Sequence, residues 1–258
     1  MPVEPNNAGE IFRPLPDRSF RFKCYKEISC FTRCCAALNL QLTPYDILRL
    51  KNRLGISSDV FLDQYGETVF EGHSRFPMVR LRMQEGAQKR CPFVTSSGCS
   101  IYEDRPGSCR LYPLGRAAMK VEDRNTREKY FLVQEAHCRG FEENREWTVD
   151  EWMKGEGMSD YNEMNDLWLE VLSLSKSLGA EANLQRKMQM FFMASYNLDR
   201  FRSFVFEGPF LKRFHVEEEV LERMAADEVS LLRFAYGWLK FSLYGEPSPI
   251  LQPKKTVS

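Results

Sequence analysis

All eight cysteines of this 258-residue chain lie between residues 24 and 138, and residues 139–258 contain none. This crowding constrains the fold, because thiols that serve disulfides or a metal must meet in space. We therefore predict a cysteine-rich metal-binding module over residues 12–145 and a helical part over residues 148–245. The candidate metal ligands are Cys24, Cys30, Cys34, Cys35, Cys91, Cys99, Cys109 and Cys138.

The cellular compartment decides how these thiols are interpreted. The first twelve residues are polar and include Pro2 and Pro5, unlike the charged start and apolar run of a secretory signal. No apolar stretch reaches the roughly 18 residues that span a bilayer. We therefore predict a cytoplasmic protein without a membrane partner. Cytosolic thiols stay reduced, so metal binding is favoured over the alternatives, a disulfide framework or incidental core thiols.

The charge balance bears on partners. Lys and Arg together number 36, as do Asp and Glu, which gives a formal net charge of zero. Binding to nucleic acid needs a basic face, so we predict no nucleic-acid partner. A protein partner is compatible with this composition, and the residues identify no substrate.

Local signals predict an α+β fold, in which an irregular cysteine-rich module with short helices and a small antiparallel sheet precedes a mainly helical part. Thr43, Pro44 and Asp46 form a helix-start signal with a capping box, and Gly55 ends that helix. A second short helix is predicted to begin at Ser57 or Ser58 and to cover residues 60–65.

Strands and further helices follow from hydrophobic periodicity. Residues 76–83 alternate apolar and basic side chains, which predicts a half-buried strand. A hairpin is predicted from residues 117–121 and 130–133. Apolar residues at helical spacing predict the later helices, and the two ends are predicted to lack order. The helix ranges are 161–178, 181–198, 216–226 and 227–244, and the ends are 1–10 and 246–258.

The first cysteine group has the spacing Cys24-x5-Cys30-x3-Cys34-Cys35. On a helix, Cys30 and Cys34 would share one face. Cys35 would point about 100° away. It is then either a ligand of a second metal or a packed free thiol.

The second group begins at Cys91, which precedes a proline. Such a pair is common beside iron–sulfur clusters, where proline stiffens the ligand loop. Ser96, Ser97 and Gly98 are predicted to make a turn that returns Cys99 towards Cys91. Cys109 follows a bend at residues 105–106, and Cys138 follows His137, a weaker candidate ligand.

Ligand number leaves two arrangements open. A structural zinc site takes four ligands, and a four-iron cluster takes four thiolates. Eight cysteines therefore supply two sites, or one site and spare thiols. Arginines beside the cysteines are candidates for offsetting thiolate charge through hydrogen bonds to sulfur; they are Arg33, Arg90, Arg105, Arg110 and Arg139.

The motifs resemble the CxxCxxCC cysteine-cluster family, the YkgJ-like zinc- or iron-chelating domain proteins. The resemblance covers about residues 20–140. It rests on the Cys34-Cys35 pair and three downstream segments, Cys91-Pro92-Phe93, Gly98-Cys99-Ser100-Ile101-Tyr102 and Arg105-Pro106-Gly107-Ser108-Cys109-Arg110-Leu111-Tyr112-Pro113. The spacing before Cys34 departs from the family name. The resemblance implies metal chelation by the cysteines.

Three functions are consistent with these observations. The first is an iron–sulfur protein with a redox or accessory role, holding a [4Fe–4S] cluster. The second is a structural zinc module. The third is an S-adenosylmethionine-dependent protein lysine methyltransferase, because flagellin lysine methylases are similar in carrying such a cluster. The sequence does not decide whether the protein is an enzyme.

Overall fold

The computed structural model describes residues 11–70, 75–121 and 126–254. The chain forms two compact units that alternate along the sequence. The cysteine unit combines the chain up to Leu40 with Arg82–Glu163, and the helical unit combines Gln41–Leu81 with the chain from Met164 onward. The predicted α+β class, with cysteines in the N-terminal region and a helical C-terminal part, is confirmed. The predicted domain boundaries, 12–145 and 148–245, stay a prediction.

The cysteine unit contains short antiparallel strands and short helices. One sheet has three strands, in the order Phe12–Pro14, Thr126–Val133, Leu114–Lys120. Two strand pairs accompany it, Ser19–Arg21 with Glu146–Thr148 and Val94–Thr95 with Gly98–Cys99. Its 3₁₀ helices are Arg33–Cys35, Tyr102–Asp104 and Gly140–Glu142, and its α-helices are Gly107–Leu111, Val149–Gly155 and the start of Ser159–Ser173.

The predicted hairpin is confirmed and is longer than expected. Ala117 pairs with Lys129, and Leu114–Lys120 aligns antiparallel with Thr126–Val133. The connecting residues 122–125 lie outside the described residues.

An aromatic core supports the loop that carries Cys138. Phe22 is 2% exposed and makes edge-on ring contacts with Tyr112 at 5.8 Å and Trp152 at 5.7 Å. The Trp152 indole N–H donates to the Leu111 carbonyl at 2.9 Å. A Cβ on Gly140 would stand 2.5 Å from the Phe22 ring. The loop and the core are therefore fitted closely to each other.

The helical unit combines a small three-stranded sheet with helices. Its small sheet has the order Gln41–Leu42, Met78–Leu81, Gly66–Val69. Phe76 stacks on Phe191 at 4.1 Å between ring centroids, which joins the segment before the sheet to the helices. The helices are Pro44–Leu54, Ser58–Tyr65, the rest of Ser159–Ser173, Glu181–Asn183 (3₁₀), Leu184–Tyr196, Leu198–Phe206, Phe210–Arg213, Glu218–Ala226 and Glu228–Tyr244.

The predicted helix starts are confirmed where capping chemistry is strong. Thr43 and Asp46 form the capping box of Pro44–Leu54, and Gly55 ends that helix at φ 64°. Ser57 caps Ser58–Tyr65 through the Val60 N–H.

A buried ion-pair network joins separate parts of the helical unit. The Lys51 side chain is only 6% exposed, and its Nζ lies 2.6 Å from Glu228 Oε1 and 3.4 Å from Asp199 Oδ1. Asp199 also accepts the Ser58 backbone N–H at 2.6 Å. A buried ammonium is stable only with such partners, so this network fixes the first helix against later ones.

The expectation of disorder after residue 245 was wrong for the described part of that end. Gln252–Pro253 pairs with Phe214–His215, and Leu251 is 2% exposed. Burial of Leu251 anchors this segment. Residues 1–10 and 255–258 lie outside the described residues.

None of the helices within residues 11–70, 75–121 and 126–254 combines the length and apolar character needed to cross a membrane.

Candidate metal centre

All eight cysteines belong to the cysteine unit and are free thiols. Cys24 is exposed, Cys30 is buried and the other six are partly buried. Partial burial close to the surface leaves these sulfurs in reach of an incoming ion.

The adjacent cysteines lie on a 3₁₀ helix, Arg33–Cys35, that follows the turn at Cys30. Thr32 precedes it in the left-handed region at φ 64°, and the Arg33 N–H donates to the Cys30 carbonyl at 2.9 Å. Contact with the Cys35 thiol, followed by burial, raises the pKa of Cys34 far above its ordinary value. Without a cation, the Cys34 thiol therefore stays protonated.

The loop at residues 138–140 brings distant cysteines together. The Arg139 backbone N–H donates to Cys30 Sγ at 3.2 Å. The Lys23 N–H donates to the Gly140 carbonyl at 3.0 Å, which draws Cys24 to the same loop. Burial and then the thiols of Cys34, Cys30 and Cys138 raise the pKa of Cys24 to about 11. These four thiols are therefore close enough to act on one another.

Cys91 precedes and Cys99 ends a short hairpin, Val94–Thr95 with Gly98–Cys99, whose turn the sequence predicted. Val94 pairs with Cys99, and the turn that begins at Cys91 is closed by the Val94 N–H on the Cys91 carbonyl at 3.2 Å. The Cys91 N–H donates to the Cys35 carbonyl at 2.8 Å, which ties this hairpin to the 3₁₀ helix. Burial raises the pKa of Cys91, and the neighbouring Cys99 thiol adds to the rise.

Backbone N–H groups face several of these sulfurs with a repeated offset. Hydrogen bonds from Phe93 and Val94 lower the pKa of Cys91 against burial, and one from Ile101 does so for Cys99. A bond from Gly140 acts likewise on Cys138. In each case a donor lies two residues after the cysteine. Fixed amide donors favour the thiolate, which is the form that binds metals.

Cys109 lies in the helix Gly107–Leu111 and is partly buried. The two arginines of its motif serve mainly to hold this segment. Arg105 pairs with Glu156 and donates to the Tyr102 carbonyl. Arg110 donates to the Glu156 carbonyl at 2.7 Å.

Two of the five arginines near the cysteines in sequence favour thiolates through their positive charge. The positive charge of Arg105 lowers the pKa of Cys99, and that of Arg90 lowers the pKa of Cys91, in both cases after the larger effect of burial. The Arg90 guanidinium donates to the Thr32 hydroxyl at 3.3 Å, and the Arg139 side chain pairs with Glu142. The hydrogen bond from Arg139 to sulfur comes from its backbone N–H instead.

Sequence reasoning missed two residues beside the first thiols. The Tyr112 hydroxyl is buried and lies beside Cys138, and burial together with that thiol raises the pKa of Tyr112 far above its ordinary value. The negative charge of Glu135 contributes to the raised pKa of both Tyr112 and Cys34. Tyr112 belongs to the motif of residues 105–113, but the sequence does not show that its hydroxyl lies beside Cys138. Glu135 carries no spacing signal.

His137, the weaker candidate, faces Glu135 rather than a sulfur in the described contacts. Its Nε2 lies 3.6 Å from Glu135 Oε2. This buried nitrogen has no regular hydrogen-bond partner among the described residues.

Among the described residues, no group of three or more His, Cys, Asp or Glu side chains is arranged to hold a metal ion. The chemistry of the donor set nevertheless fits zinc or iron, since soft thiolates select these metals and iron–sulfur clusters. The fixed amide donors fit the same groups.

Comparison with known proteins agrees with this chemistry. Residues 23–139 match the model of the CxxCxxCC family, a putative zinc- or iron-chelating domain. The resemblance predicted from the sequence is thereby confirmed. The chain has no match among curated proteins and none among solved structures.

Proposed function

We propose that the cysteine unit chelates a metal centre through its cysteine thiolates, and that the centre is an iron–sulfur cluster of the [4Fe–4S] type. The observation that carries the proposal is the set of backbone N–H groups directed at sulfurs, led by Arg139 on Cys30. An amide donor held by the fold is of little use to a buried neutral thiol. It stabilises a thiolate, and a metal is what keeps several neighbouring thiolates ionised.

The ligand types are those that iron–sulfur clusters take. The candidate ligands are all thiols, and the neighbouring His137 faces Glu135. Hydrogen bonds to sulfur tune the potential of such clusters, which supply one-electron redox chemistry when bound. The chain's own residues would hold the cluster, direct amides at it and exclude water with the Phe22 and Trp152 core. A redox or accessory role in a cytoplasmic setting follows from this proposal.

Zinc is the second candidate, because four thiolates per ion form a closed structural site. In that case the metal would organise the loops and contribute directly to folding. The methyltransferase alternative requires binding of S-adenosylmethionine. Calorimetric titration with this compound tests it, and a saturable heat would favour it.

The test is metal analysis of protein purified without oxygen. An iron–sulfur centre predicts brown protein with iron and acid-labile sulfide in equal amounts; colourless protein with stoichiometric zinc would support the second candidate. Cys91→Ser and Cys109→Ser should each lower the metal content. Ser97→Ala, in the turn of the same hairpin, is the matched control and should retain it. Folded protein without any metal would refute chelation.

A further inference from the structure

We propose that the eight thiols form two four-thiolate sites that meet at the adjacent cysteines, with Cys34 serving one site and Cys35 the other. The first site would use Cys24, Cys30, Cys34 and Cys138. The second would use Cys35, Cys91, Cys99 and Cys109. This inference rests on the proposed chelation and adds the number of centres and the division of ligands.

The first site is defined by the loop at residues 138–140. This loop receives the Lys23 N–H on the Gly140 carbonyl and gives the Arg139 N–H to Cys30 Sγ. Cys24 is therefore next in sequence to a residue that contacts this loop, Cys30 accepts a hydrogen bond from the loop, and Cys138 belongs to it. The turn at Cys30 leads directly into the 3₁₀ helix Arg33–Cys35, which carries Cys34.

The second site begins where the chain direction changes after Cys35. The Cys35 carbonyl accepts the Cys91 N–H at 2.8 Å, Ala36 forms an antiparallel bridge with Arg90, and the Ala37 N–H donates to the Lys89 carbonyl. These short antiparallel contacts hold the backbone of Cys35 next to that of Cys91. The hairpin then returns Cys99 to Cys91.

Cys109 is assigned to the second site by the fold of its own segment. The helix that carries it follows the 3₁₀ helix Tyr102–Asp104. The Arg105 N–H and guanidinium both donate to the Tyr102 carbonyl, which bends the chain back after Cys99. Cys109 follows this bend in the helix Gly107–Leu111.

The geometry of the 3₁₀ helix separates the adjacent cysteines. Successive side chains on such a helix point about 120° apart, because it has three residues per turn. Cys34 and Cys35 therefore face different sides of the helix Arg33–Cys35. Ligand number agrees, since zinc and four-iron clusters each take four thiolates, and eight thiolates make two full sets.

The test counts the centres in the intact protein and in paired variants. Native mass spectrometry after loading with zinc, and iron and sulfide analysis after anaerobic reconstitution, should both give two centres per chain. Cys24→Ser/Cys138→Ser and Cys91→Ser/Cys99→Ser should each retain one. Loss of both centres in both double variants would overturn the division, as would a single centre in the unchanged protein, although chelation would then stand. An unchanged protein that binds neither zinc nor an iron–sulfur cluster would instead refute the proposed function.

A sharper comparison uses neighbouring substitutions and the protection of thiols from alkylation. In zinc-loaded Cys34→Ser, alkylation should reach Cys24, Cys30 and Cys138 and spare the second set. Cys35→Ser should give the opposite pattern. Circular dichroism checks that each variant is folded. Where a double variant does not fold, the single variants Cys34→Ser and Cys35→Ser replace it in the test. The same alkylation pattern in both single variants would contradict two separate sites.

Discussion

The Arg139 backbone N–H lies 3.2 Å from the sulfur of Cys30, although 109 residues separate them in sequence. A backbone donor cannot rotate away as a side chain can, so it offers the sulfur a fixed positive dipole. Arg139→Pro removes this N–H and should speed metal loss to a chelator about tenfold or more. Release rates of metal from loaded protein measure the effect.

Arg139→Ala is the matched control, because it keeps the N–H and removes only a side chain that pairs with Glu142. Its release rate should match that of the unchanged protein. Equal acceleration in both variants would assign the effect to the arginine side chain and not to the hydrogen bond.

The close approach of Gly140 to Phe22 predicts a loss of stability when a methyl group is added. A Cβ there would lie 2.5 Å from the buried ring, so Gly140→Ala must displace the ring or the Cys138 loop. We expect a loss of about 1–3 kcal/mol in unfolding free energy. Metal should also dissociate faster.

Gly155→Ala provides the comparison, because a Cβ at residue 155 meets nothing within 4 Å. Its effect on urea unfolding should stay within about 1 kcal/mol and be stabilising if anything, since alanine favours a helix. A neutral Gly140→Ala would show that the loop is looser than its packing indicates.

Removal of the Tyr112 hydroxyl should affect the metal centre more than the fold. Tyr112→Phe keeps the ring contact with Phe22 and deletes a hydroxyl that lies beside Cys138. Stability should change by less than about 1 kcal/mol, because the hydroxyl is replaced by an apolar surface of similar shape. Metal release and the visible spectrum of the loaded protein should change. Tyr102→Phe, at an exposed position, should leave both as they are.

The free energy of unfolding of the helical unit should depend on pH through the ionisation of Asp199. Burial raises the pKa of Asp199, but hydrogen bonds from Ser58 and the Lys51 ammonium outweigh it and lower the pKa overall. Because the folded-state pKa is below the unfolded one, the stabilisation is complete above about pH 4 and lost as pH falls through the folded value.

Asp199→Asn should therefore destabilise the protein by about 1–2 kcal/mol near pH 7, and the difference should shrink below about pH 4. Urea unfolding at several pH values measures it. Asp17→Asn, at an exposed position, is the control and should change the free energy of unfolding little. A constant difference down to pH 3 would rule out the lowered pKa of Asp199 as its cause.

The local elements could be predicted because their signals lie within a few residues. Thr43 with Asp46 specifies a helix start, and the turn before Cys99 specifies a hairpin. Helix ends were less well defined: the helix predicted over 161–178 ends at Ser173. The helix Leu198–Phe206, capped by Asn197, was not predicted, because the preceding predicted helix stopped at residue 198 and no element was predicted after it before residue 216.

The eight candidate ligands follow from the sequence and stay a prediction, whereas the sequence does not give which thiols lie near one another. Which thiols meet depends on contacts such as that of Lys23 with Gly140, and no spacing rule covers such distances. Tyr112 was missed for a similar reason, because a lone phenol gains its significance only from the sulfur it reaches.

The interleaving of the two units along the chain sets an order for biosynthesis. A ribosome releases Cys24 to Cys35 first, then residues 41–81, which need partners from Met164 onward. The thiols of residues 24–35 cannot meet that of Cys138 until the segment around Cys138 has emerged. The cysteine unit is complete once Glu163 has emerged, whereas the helical unit still needs the chain from Met164 onward. The eight thiols can therefore meet while the helical unit is still unfinished.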